Sequence, residues 1–308
     1  MESIKISLDP ISREDDVLRV LTFNVGLLRV KWFGRTVFAS PPFVTERFTM
    51  LLTVLPEFIE RHKIDIVALQ EIYEQGQVKA LLQAVQAQLP HHARVNNQKN
   101  IQFHNGLLFL SRTPIDETTL VKHAQASALE RTFACKSCLA IRVSTHIGKI
   151  ALANLHTTAG GGVDPEAGGV DSVRQSELEE AMELCDQAQA DGYASAIIGD
   201  LNCGPEASAP NYDYVVQSRG YADVVAPFAA EVGATWDQAN PLNNLAVFAN
   251  CPPQRIDHLC FHKDAPFAAR RVSKVFTDAS VSVIKKKKPL AVTLSDHFGL
   301  LIDVVARK

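Results

Sequence analysis

Polar side chains stand at the ends of several apolar segments, where a buried strand would give way to a loop. Asp200 and Asn202 end the segment AIIGDLN, and strand alternation directs residues two apart to the same side. Comparable positions hold the other candidates, which are Asn24, Glu71, Asn154, His156, Asp257, Asp296 and His297. Any one of these residues could simply begin a loop, but the set as a whole predicts a shared site.

The residue types in this set suit metal-assisted hydrolysis of a phosphate ester. Hard divalent cations such as Mg²⁺ take oxygen ligands from carboxylates and carboxamides, and Glu71, Asp296 and Asn24 provide both. An imidazole beside an aspartate is a common form of general base, which His156 or His297 would supply. The sequence lacks the GxSxG, HExxH and GxxxxGK[ST] motifs of rival chemistries. We therefore predict a Mg²⁺-dependent hydrolase, with Mn²⁺ as an alternative ion.

Short apolar segments with the length and β-branched content of buried strands carry these residues. They span 17–25, 64–72, 105–111, 138–144, 149–157, 194–202, 255–262 and 298–306. Helices are predicted over Thr45–Lys63, Tyr73–Leu89 and Ser172–Asp191, the last followed by Gly192, a common helix stop. Strands mixed with helices along the whole chain predict an α/β fold in which helices cover two sheets.

The composition fits one large enzyme domain. The chain has 308 residues, of which 46% are hydrophobic, and it contains neither an internal repeat nor a linker. We predict a single domain over residues 1–308, with residues 1–16 as an N-terminal extension. The formal net charge is −3, and this lack of a basic surplus counts against indiscriminate binding of nucleic acid.

The N-terminal segment carries no targeting signal that the sequence reveals. MESIKISLDPISREDD lacks the apolar core of a secretory signal, and no run approaches the roughly 18 apolar residues of a membrane span. We expect a soluble, cytoplasmic and monomeric chain. Export by a route that needs no signal stays open.

Two segments could contact a surface. Arg29–Pro42 carries Trp32, Phe33 and Phe38 among basic residues, which suits contact with a bilayer interface, although Trp32 and Phe33 could instead close the core beneath a loop. Lys285–Lys288 would attract an anionic membrane, hold nucleic acid, or form a solvated hairpin tip. Peripheral membrane contact is therefore one of two interpretations, and nucleic acid is the less favoured partner.

Six cysteines raise the question of a metal or redox site. Cys135 and Cys138 have CxxC spacing, but a zinc knuckle would need a second close pair, and Cys251 and Cys260 are nine residues apart. Free and mostly buried thiols are the favoured interpretation, because a chain of this size needs no disulfides.

Seven motifs place the chain beside a known family. They are LTFNVGLL, DIVALQEIY, NGLLFLSRTPI, ANLHT, IIGDLNCGP, RIDHL and LSDHFGL. Their order resembles the endonuclease/exonuclease/phosphatase superfamily over residues 18–304. The resemblance implies a deoxyribonuclease-like four-layer α/β sandwich, with two packed mixed sheets flanked by helices. It also implies an active site at the strand ends on one edge and Mg²⁺-dependent cleavage of phosphodiesters or phosphomonoesters.

The resemblance also implies metal ligands. Glu71 matches the acidic residue of the QE motif that binds the metal, and Asn24 matches the asparagine that supports it. Asp296 matches the neighbouring acid near the metal.

Catalytic roles follow from the same motifs. His297 matches the proposed general base, and Asp257 matches the aspartate that orients it. Asp200 and Asn202 match the GDxN pair that orients the phosphate and the nucleophilic water, and His156 matches the histidine that stabilises phosphate oxygens or assists the leaving group. Members of the superfamily divide these proton transfers differently.

Departures from the motifs favour one branch. Gly26 stands where some nucleases have an aspartate, Asn105 aligns with a glutamate of pancreatic-type deoxyribonucleases, and QRIDH differs from the inositol polyphosphate 5-phosphatases. FACKSCLAI, VRQSELEEA and ATWDQANPLNN resemble the neutral sphingomyelinases. In that branch, Lys136 would meet a substrate phosphate oxygen as a point charge, although Ser137 replaces a glycine and a solvated lysine is an equal alternative.

This branch implies a phosphodiesterase that hydrolyses a phospholipid headgroup ester, with sphingomyelin giving ceramide and phosphocholine. A metal-dependent DNA or RNA nuclease of the same fold is the alternative. A third hypothesis is a binding or toxin-like module. The completeness of the set of polar residues argues against it.

Overall fold

The computed structural model describes residues 15–33, 35–94, 105–124, 136–160, 168–245, 251–278 and 280–307. Within these ranges, no helix combines the length and the apolarity that crossing a membrane would require. Of the expected N-terminal extension, the described part contains Asp15 and Asp16 alone. The single-domain boundaries stay a prediction.

Strands carry most of the regular structure in the described ranges. In chain order they are β1 (Leu18–Asn24), β2 (Leu28–Trp32), β3 (Arg35–Ser40), β4 (Ile66–Gln70), β5 (His91–Ala93), β6 (Leu108–Ser111), β7 (Ile115–Lys122), β8 (Ser137–Thr145), β9 (Gly148–His156), β10 (Ala194–Asp200), β11 (Ala222–Asp223), β12 (Asp257–Phe261), β13 (Phe267–Val275), β14 (Ser280–Lys285), β15 (Lys288–Thr293) and β16 (Gly299–Ala306). The α-helices are α1 (Val44–His62), α2 (Gln75–Val85), α3 (Gly168–Ala190), α4 (Ala209–Asp213) and α5 (Ala229–Val232).

Two six-stranded mixed sheets form the centre of the fold. Their strand orders are β13-β16-β1-β4-β6-β5 and β11-β12-β10-β9-β8-β7. In each sheet one central pair is parallel, β1 with β4 and β9 with β10, while the other ladders run antiparallel. The remaining strands form two hairpins, β2–β3 and β14–β15. The carboxyl ends of both parallel pairs are where the functional candidates lie.

Three apolar clusters separate the layers. One packs α1 and α2 against the first sheet, a second fills the space between the sheets, and a third packs α3 and the region of α4 against the second sheet. Helix, sheet, sheet and helix therefore follow one another, which confirms the predicted four-layer α/β sandwich.

Within the two six-stranded sheets, the strands with continuous apolar runs were predicted, but β5, β7, β11 and β13 were not. β7 and β13 lie at sheet edges, and most of their side chains are exposed or half-buried. An edge strand needs no unbroken apolar run, because one side of it faces solvent. The helices follow the expected positions, although α2 ends at Val85 rather than Leu89 and α3 begins at Gly168 rather than Ser172.

The segment interpreted as a long loop, Arg29–Pro42, is mostly the hairpin β2–β3. Phe33 at its turn is 92% exposed, so the interpretation that Phe33 closes the core is wrong. The side chain of Trp32 lies outside the described part. Lys285–Lys288 forms the exposed turn of β14–β15, which confirms its placement at a hairpin tip.

The cysteines of the described ranges are free, and Cys138, Cys185, Cys203 and Cys260 are buried. Burial, with added repulsion from Cys185 and Glu180, raises the pKa of Cys138 well above its ordinary value. Cys138 is therefore an inert core thiol, as expected. Cys135 lies outside the described residues.

Candidate active site

Strand pairing brings the predicted residues to one edge of the sandwich. Asn24 pairs with Gln70, which places Glu71 beside the end of β1. In the second sheet, Asp200 pairs with both His156 and Asp257. Because β16 runs antiparallel to β1, the residues just before it, including His297, also reach this edge.

Asn24 connects the two sheets inside the site. Its Nδ2 donates to Glu71 Oε1 at 3.2 Å and to Asp200 Oδ2 at 2.9 Å. Asn24 is fully buried, so these bonds hold two carboxylates on either side of one amide. Glu71 itself has a φ of 61°, a left-handed conformation that an L residue adopts only when its surroundings impose it.

Asp296 approaches the same point from the loop before β16. Its Oδ1 accepts a hydrogen bond from Ser295 Oγ at 3.0 Å, and Ser295 Oγ lies 2.6 Å from Asn24 O. A Cβ at Gly26 would lie 2.4 Å from Asp296 Oδ1, and Gly26 has a φ of +55°. A side chain at position 26 would therefore displace Asp296, which gives a physical reason for the glycine there.

His297 and Asp257 form a buried pair. His297 Nδ1 lies 2.9 Å from Asp257 Oδ2, and its Nε2 lies 3.5 Å from Asp200 Oδ2. Burial alone would lower the pKa of His297, but the charges of Asp257 and Asp200 outweigh it and hold that pKa well above its ordinary value. Asp257 thus fixes the ring through Nδ1 and leaves Nε2 directed into the site.

His156 faces the carboxylates from β9. Its Nε2 lies 3.6 Å from Glu71 Oε1 and 3.7 Å from Asp200 Oδ2. Burial, together with the charges of Lys136 and His297, lowers the pKa of His156 well below its ordinary value. At neutral pH the two imidazoles therefore differ in charge, although both border Asp200.

Side-chain hydrogen bonds of Asp200 and Asn202 hold the turn of the GDxN motif that follows β10. Asp200 Oδ1 accepts from Asn202 N at 2.9 Å, and Asn202 Nδ2 donates to Thr157 O at 2.9 Å. Asn202 has a φ of 46°, which asparagine tolerates better than most residues. Asp200 and Asn202 therefore lie together at the end of β10, as the sequence predicts.

The carboxylates repel one another. Burial and the charges of Asp296 and Asp200 raise the pKa of Glu71 to about 7. Burial and Asp257 likewise raise the pKa of Asp200. The donors gathered here are carboxylate oxygens and one carboxamide, the set that suits a hard divalent cation.

Two sets of side chains could hold such an ion. Ligand atoms of Asp200, Asp257 and His297 lie within 4.8 Å of one another. The closest contact in that set, His297 with Asp257, has the geometry of a hydrogen bond, which would be lost if both groups bound a metal. We therefore favour the set of Glu71, Asn24 and Asp296.

Sequence comparison decides the family. Residues 21–297 match the Endonuclease/Exonuclease/phosphatase family. The chain belongs to this family. Its members are hydrolases that act on phosphodiesters or phosphate esters and depend on a divalent metal. No curated protein sequence matches the chain significantly.

Solved structures share the fold. Sphingomyelinase C from Streptomyces griseocarneus is 16% identical, with a TM-score of 0.69 over 93% of this chain and 99% of that chain. A mutant beta toxin from Staphylococcus aureus with bound magnesium ions is 16% identical, with a TM-score of 0.69 over 95% of this chain and 100% of that one. D. rerio TDP2 complexed with single strand DNA product is 15% identical, with a TM-score of 0.65 over 94% and 98%. At these identities the likeness shows the fold alone.

Lys136 lies next to the candidate active site and is not a solvated lysine. Its Nζ donates to His156 O at 2.9 Å and to Thr157 O at 2.8 Å. The alternative of an exposed lysine is therefore wrong, and contact with a substrate phosphate stays a prediction. Asn105, which aligns with a nuclease glutamate, donates to Ser137 Oγ at 3.0 Å.

Asn154 supports the candidate active site from its buried side. Its Oδ1 accepts from Gln70 Nε2 at 2.8 Å, and its Nδ2 donates to Leu69 O at 3.0 Å, so it joins the two sheets. A Cβ at Gly199 would lie 2.2 Å from Leu155 O, which keeps β9 and β10 close here. The sequence marks Asn154 as a strand-end residue, but Gln70 gave no signal beyond its place in the QE motif.

The wall of the cleft includes residues that the sequence did not single out. Trp236 and Glu206 line it, and Trp236 bridges to both Gln254 and His297. Thr235 Oγ1 accepts from the amides of Ile256 and Asp257, each at 3.2 Å. The segment ATWDQ, noted only as a resemblance, therefore positions Asp257.

A second group of potential ligands, Asp223, His258 and Cys260, is already engaged. Asp223 Oδ2 accepts from Arg255 Nη1 at 2.6 Å and from Tyr212 Oη at 2.8 Å, and lies 3.2 Å from His258 Nδ1. Since Arg255 occupies the carboxylate, we interpret this group as a structural network beneath Asp257.

Proposed function

We propose that the protein is a Mg²⁺-dependent phosphodiesterase that hydrolyses a phospholipid headgroup ester, with sphingomyelin giving ceramide and phosphocholine. One observation carries the proposal: two imidazoles, His156 and His297, border Asp200 at 3.7 and 3.5 Å, and Glu71 lies 3.6 Å from His156. A phosphate group in this cleft would have both acid–base groups and oxygen donors beside it.

His297 and Asp257 supply the general base in this proposal. Asp257 accepts the Nδ1 hydrogen and fixes the ring. The carboxylates keep His297 protonated, and the positive charge of a cation held by Glu71, Asn24 and Asp296 would favour its neutral form. In that neutral form, Nε2 takes a proton from water as the water oxygen attacks phosphorus. The bond from phosphorus to the ceramide oxygen breaks, and that oxygen takes its proton from a solvent water as it leaves. Asp200 and Asn202 orient the water and the phosphate.

The other groups stabilise charge. His156 is neutral, so it donates a hydrogen bond to a phosphate oxygen or assists the leaving oxygen by a hydrogen bond. Glu71, Asn24 and Asp296 would hold Mg²⁺, which when bound neutralises charge on the phosphoryl oxygens. Lys136, whose Nζ donates to His156 O at 2.9 Å, would add a positive charge beside the substrate.

Two exposed hairpins support a lipid substrate. Among the described residues, the exposed large hydrophobic side chains are Phe33 (92%), Val37 (62%), Phe38 (46%) and Ile284 (66%). All of them lie on β2–β3 or β14–β15. Ile284 adjoins the exposed lysines Lys285–Lys288, and apolar side chains beside positive charge suit an anionic membrane surface.

The nuclease alternative rests on the similarity to TDP2. One assay separates the two functions: sphingomyelin vesicles and single-stranded DNA offered in parallel at the same Mg²⁺ concentration. We expect phosphocholine release and intact DNA. Cleaved DNA without phosphocholine would replace the lipid substrate by a nucleic acid.

A further inference from the structure

A buried arginine ties together the segments around the proposed metal site. Arg47 lies in the first turn of α1 and is 0% exposed. Its guanidinium donates to five backbone carbonyls, those of Pro41 (3.1 Å), Pro42 (2.9 Å), Val25 (3.2 Å), Gly26 (2.5 Å) and Leu294 (2.8 Å). This arrangement uses every nitrogen of the side chain.

The acceptors belong to three segments that border the site. Residues 25–26 directly follow Asn24, Leu294 precedes Ser295 and Asp296, and residues 41–42 follow β3. The 25–27 segment is also bonded to the loop of Glu71, since Val25 N donates to Gln70 O at 3.1 Å and Leu27 N to Glu71 O at 3.2 Å. Arg47 therefore contacts the backbone on both sides of the acidic cluster.

Only arginine suits this position chemically. Its guanidinium offers five N–H donors in a rigid planar fork, whereas lysine offers three donors from a single atom. Burial of such a charge is costly unless its donors are satisfied. Asp296 and Glu71 also interact with this charge through space, which ties Arg47 electrostatically to the same cluster.

We propose that Arg47 is a positioning residue that fixes the spacing of Asn24, Glu71 and Asp296 for a divalent cation, and that it anchors the bases of both hairpins to that site. β3 ends at Ser40 and β15 at Thr293, one residue before Pro41 and Leu294. This inference adds a positioning residue to the proposed function. It rests on that proposed function for the role of the cation.

The test compares Arg47→Lys with Arg19→Lys. Arg19 is also buried, at 2% exposed, and bonds Asp303 at 3.2 Å and His62 O at 3.0 Å. It lies on β1 about 17 Å from Asn24, at 3.3–3.4 Å per residue. Both variants lose a buried guanidinium, so both lower the thermal unfolding temperature.

The Mg²⁺ concentration for half-maximal activity separates the two. We expect Arg47→Lys to raise it about 10-fold or more and to lower kcat, with little change in substrate KM at saturating Mg²⁺, the range typical of residues that orient metal ligands. Arg19→Lys leaves that concentration unchanged. Equal Mg²⁺ dependence in wild type and Arg47→Lys would overturn the inference.

Amide hydrogen exchange tests the positioning without substrate or metal. Exchange at residues 25–27 and 294–297 accelerates selectively in Arg47→Lys if Arg47 fixes these segments. Unchanged exchange there, or the same change in Arg19→Lys, would refute the positioning role whatever the activity. A wild-type protein that ignores Mg²⁺ would instead refute the proposed function, while the exchange data still decide the role of Arg47.

Arg47→Gln, which keeps an amide donor, replaces the lysine variant should that variant not fold. If both Arg47 variants unfold while Arg19→Lys folds, Arg47 governs global stability and the local role is wrong.

Discussion

His297 is the residue on which the proposed chemistry depends most directly. Its Nδ1 is fixed by Asp257 at 2.9 Å, so its Nε2 has one orientation in the site. General base catalysis contributes about 10²–10⁴ in rate. We expect His297→Ala to lower kcat by that factor.

The same variant should still fold but unfold at a lower temperature than wild type, because it leaves the buried Asp257 without its partner. Circular dichroism melting beside the kinetic assay checks both expectations. Full activity in a folded His297→Ala protein would show that another group is the base.

The pKa of Glu71 predicts how the affinity for Mg²⁺ depends on pH. Burial and the neighbouring Asp296 raise its pKa to about 7, so the carboxylate is mostly protonated below that pH. A cation needs the ionised form, and Mg²⁺ affinity therefore falls by up to about tenfold for each pH unit below 7. Mg²⁺ titrations by calorimetry at pH 6, 7 and 8 measure this slope, and Glu71→Gln should both weaken binding and remove the slope. A pH-independent affinity would exclude Glu71 as a ligand.

At the scale of elements, buried arginines hold the loops that follow the strands. Arg174 on α3 donates to Thr158 O from Nε at 3.0 Å and from Nη2 at 2.8 Å, beside the part of the cleft that Ala159 and Gly160 line. Arg47 does the same for the segments that contain Gly26, Pro41 and Leu294. Helices on both outer layers thus fix loops that belong to the strand ends.

His62, a buried histidine in the C-terminal turn of α1, makes the free energy of unfolding depend on pH. His62 is fully buried against Phe58, and neither ring nitrogen has a hydrogen-bond partner among the described residues. Burial, with the nearby charges of Arg61 and Arg19, lowers the pKa of His62 to about 4. The unfolded chain takes up a proton below about pH 6.5 and the folded one does not, so stability is full above that pH and is lost toward pH 4.

At pH 5 the loss from His62 amounts to about 2 kcal/mol. Urea unfolding at pH 7 and pH 5 measures it, and His62→Leu should remove this part of the difference. An identical pH dependence in wild type and His62→Leu would contradict the assignment.

The sequence predicted the elements that are buried on both faces, and with them the site. Strand ends such as Asp200 and Glu71 follow continuous apolar runs, so their place at a common edge could be inferred. The positions of Arg47 and Gln70 could not be, since nothing in the sequence shows which backbone carbonyls a buried side chain will meet. The hairpin β2–β3 was missed because its strands are short and their described side chains are half-buried or exposed, without the apolar run of a core strand.

At the scale of the whole molecule, both hairpins extend from the edge that carries the site. If they contact a membrane, replacing their apolar tips should reduce vesicle binding without changing the chemistry. We expect Phe33→Ser combined with Phe38→Ser to weaken sedimentation with anionic vesicles by about tenfold, and to leave hydrolysis of a water-soluble phosphodiester unchanged.

A matched control is Ile147→Ser, a partly buried apolar position of the inter-sheet core, which should affect stability rather than vesicle binding. Equal sedimentation of the hairpin variant and wild type would exclude the β2–β3 tip as the contact. Cytoplasmic location and the monomeric state stay predictions from the sequence.

The most direct test of the account is phosphocholine release from sphingomyelin vesicles in the presence of Mg²⁺, after addition of EDTA, and after Mg²⁺ is restored in excess. We predict release that stops with EDTA and returns with Mg²⁺. Release that continues in EDTA would contradict the metal-dependent mechanism, and no release at saturating Mg²⁺ would contradict the lipid substrate.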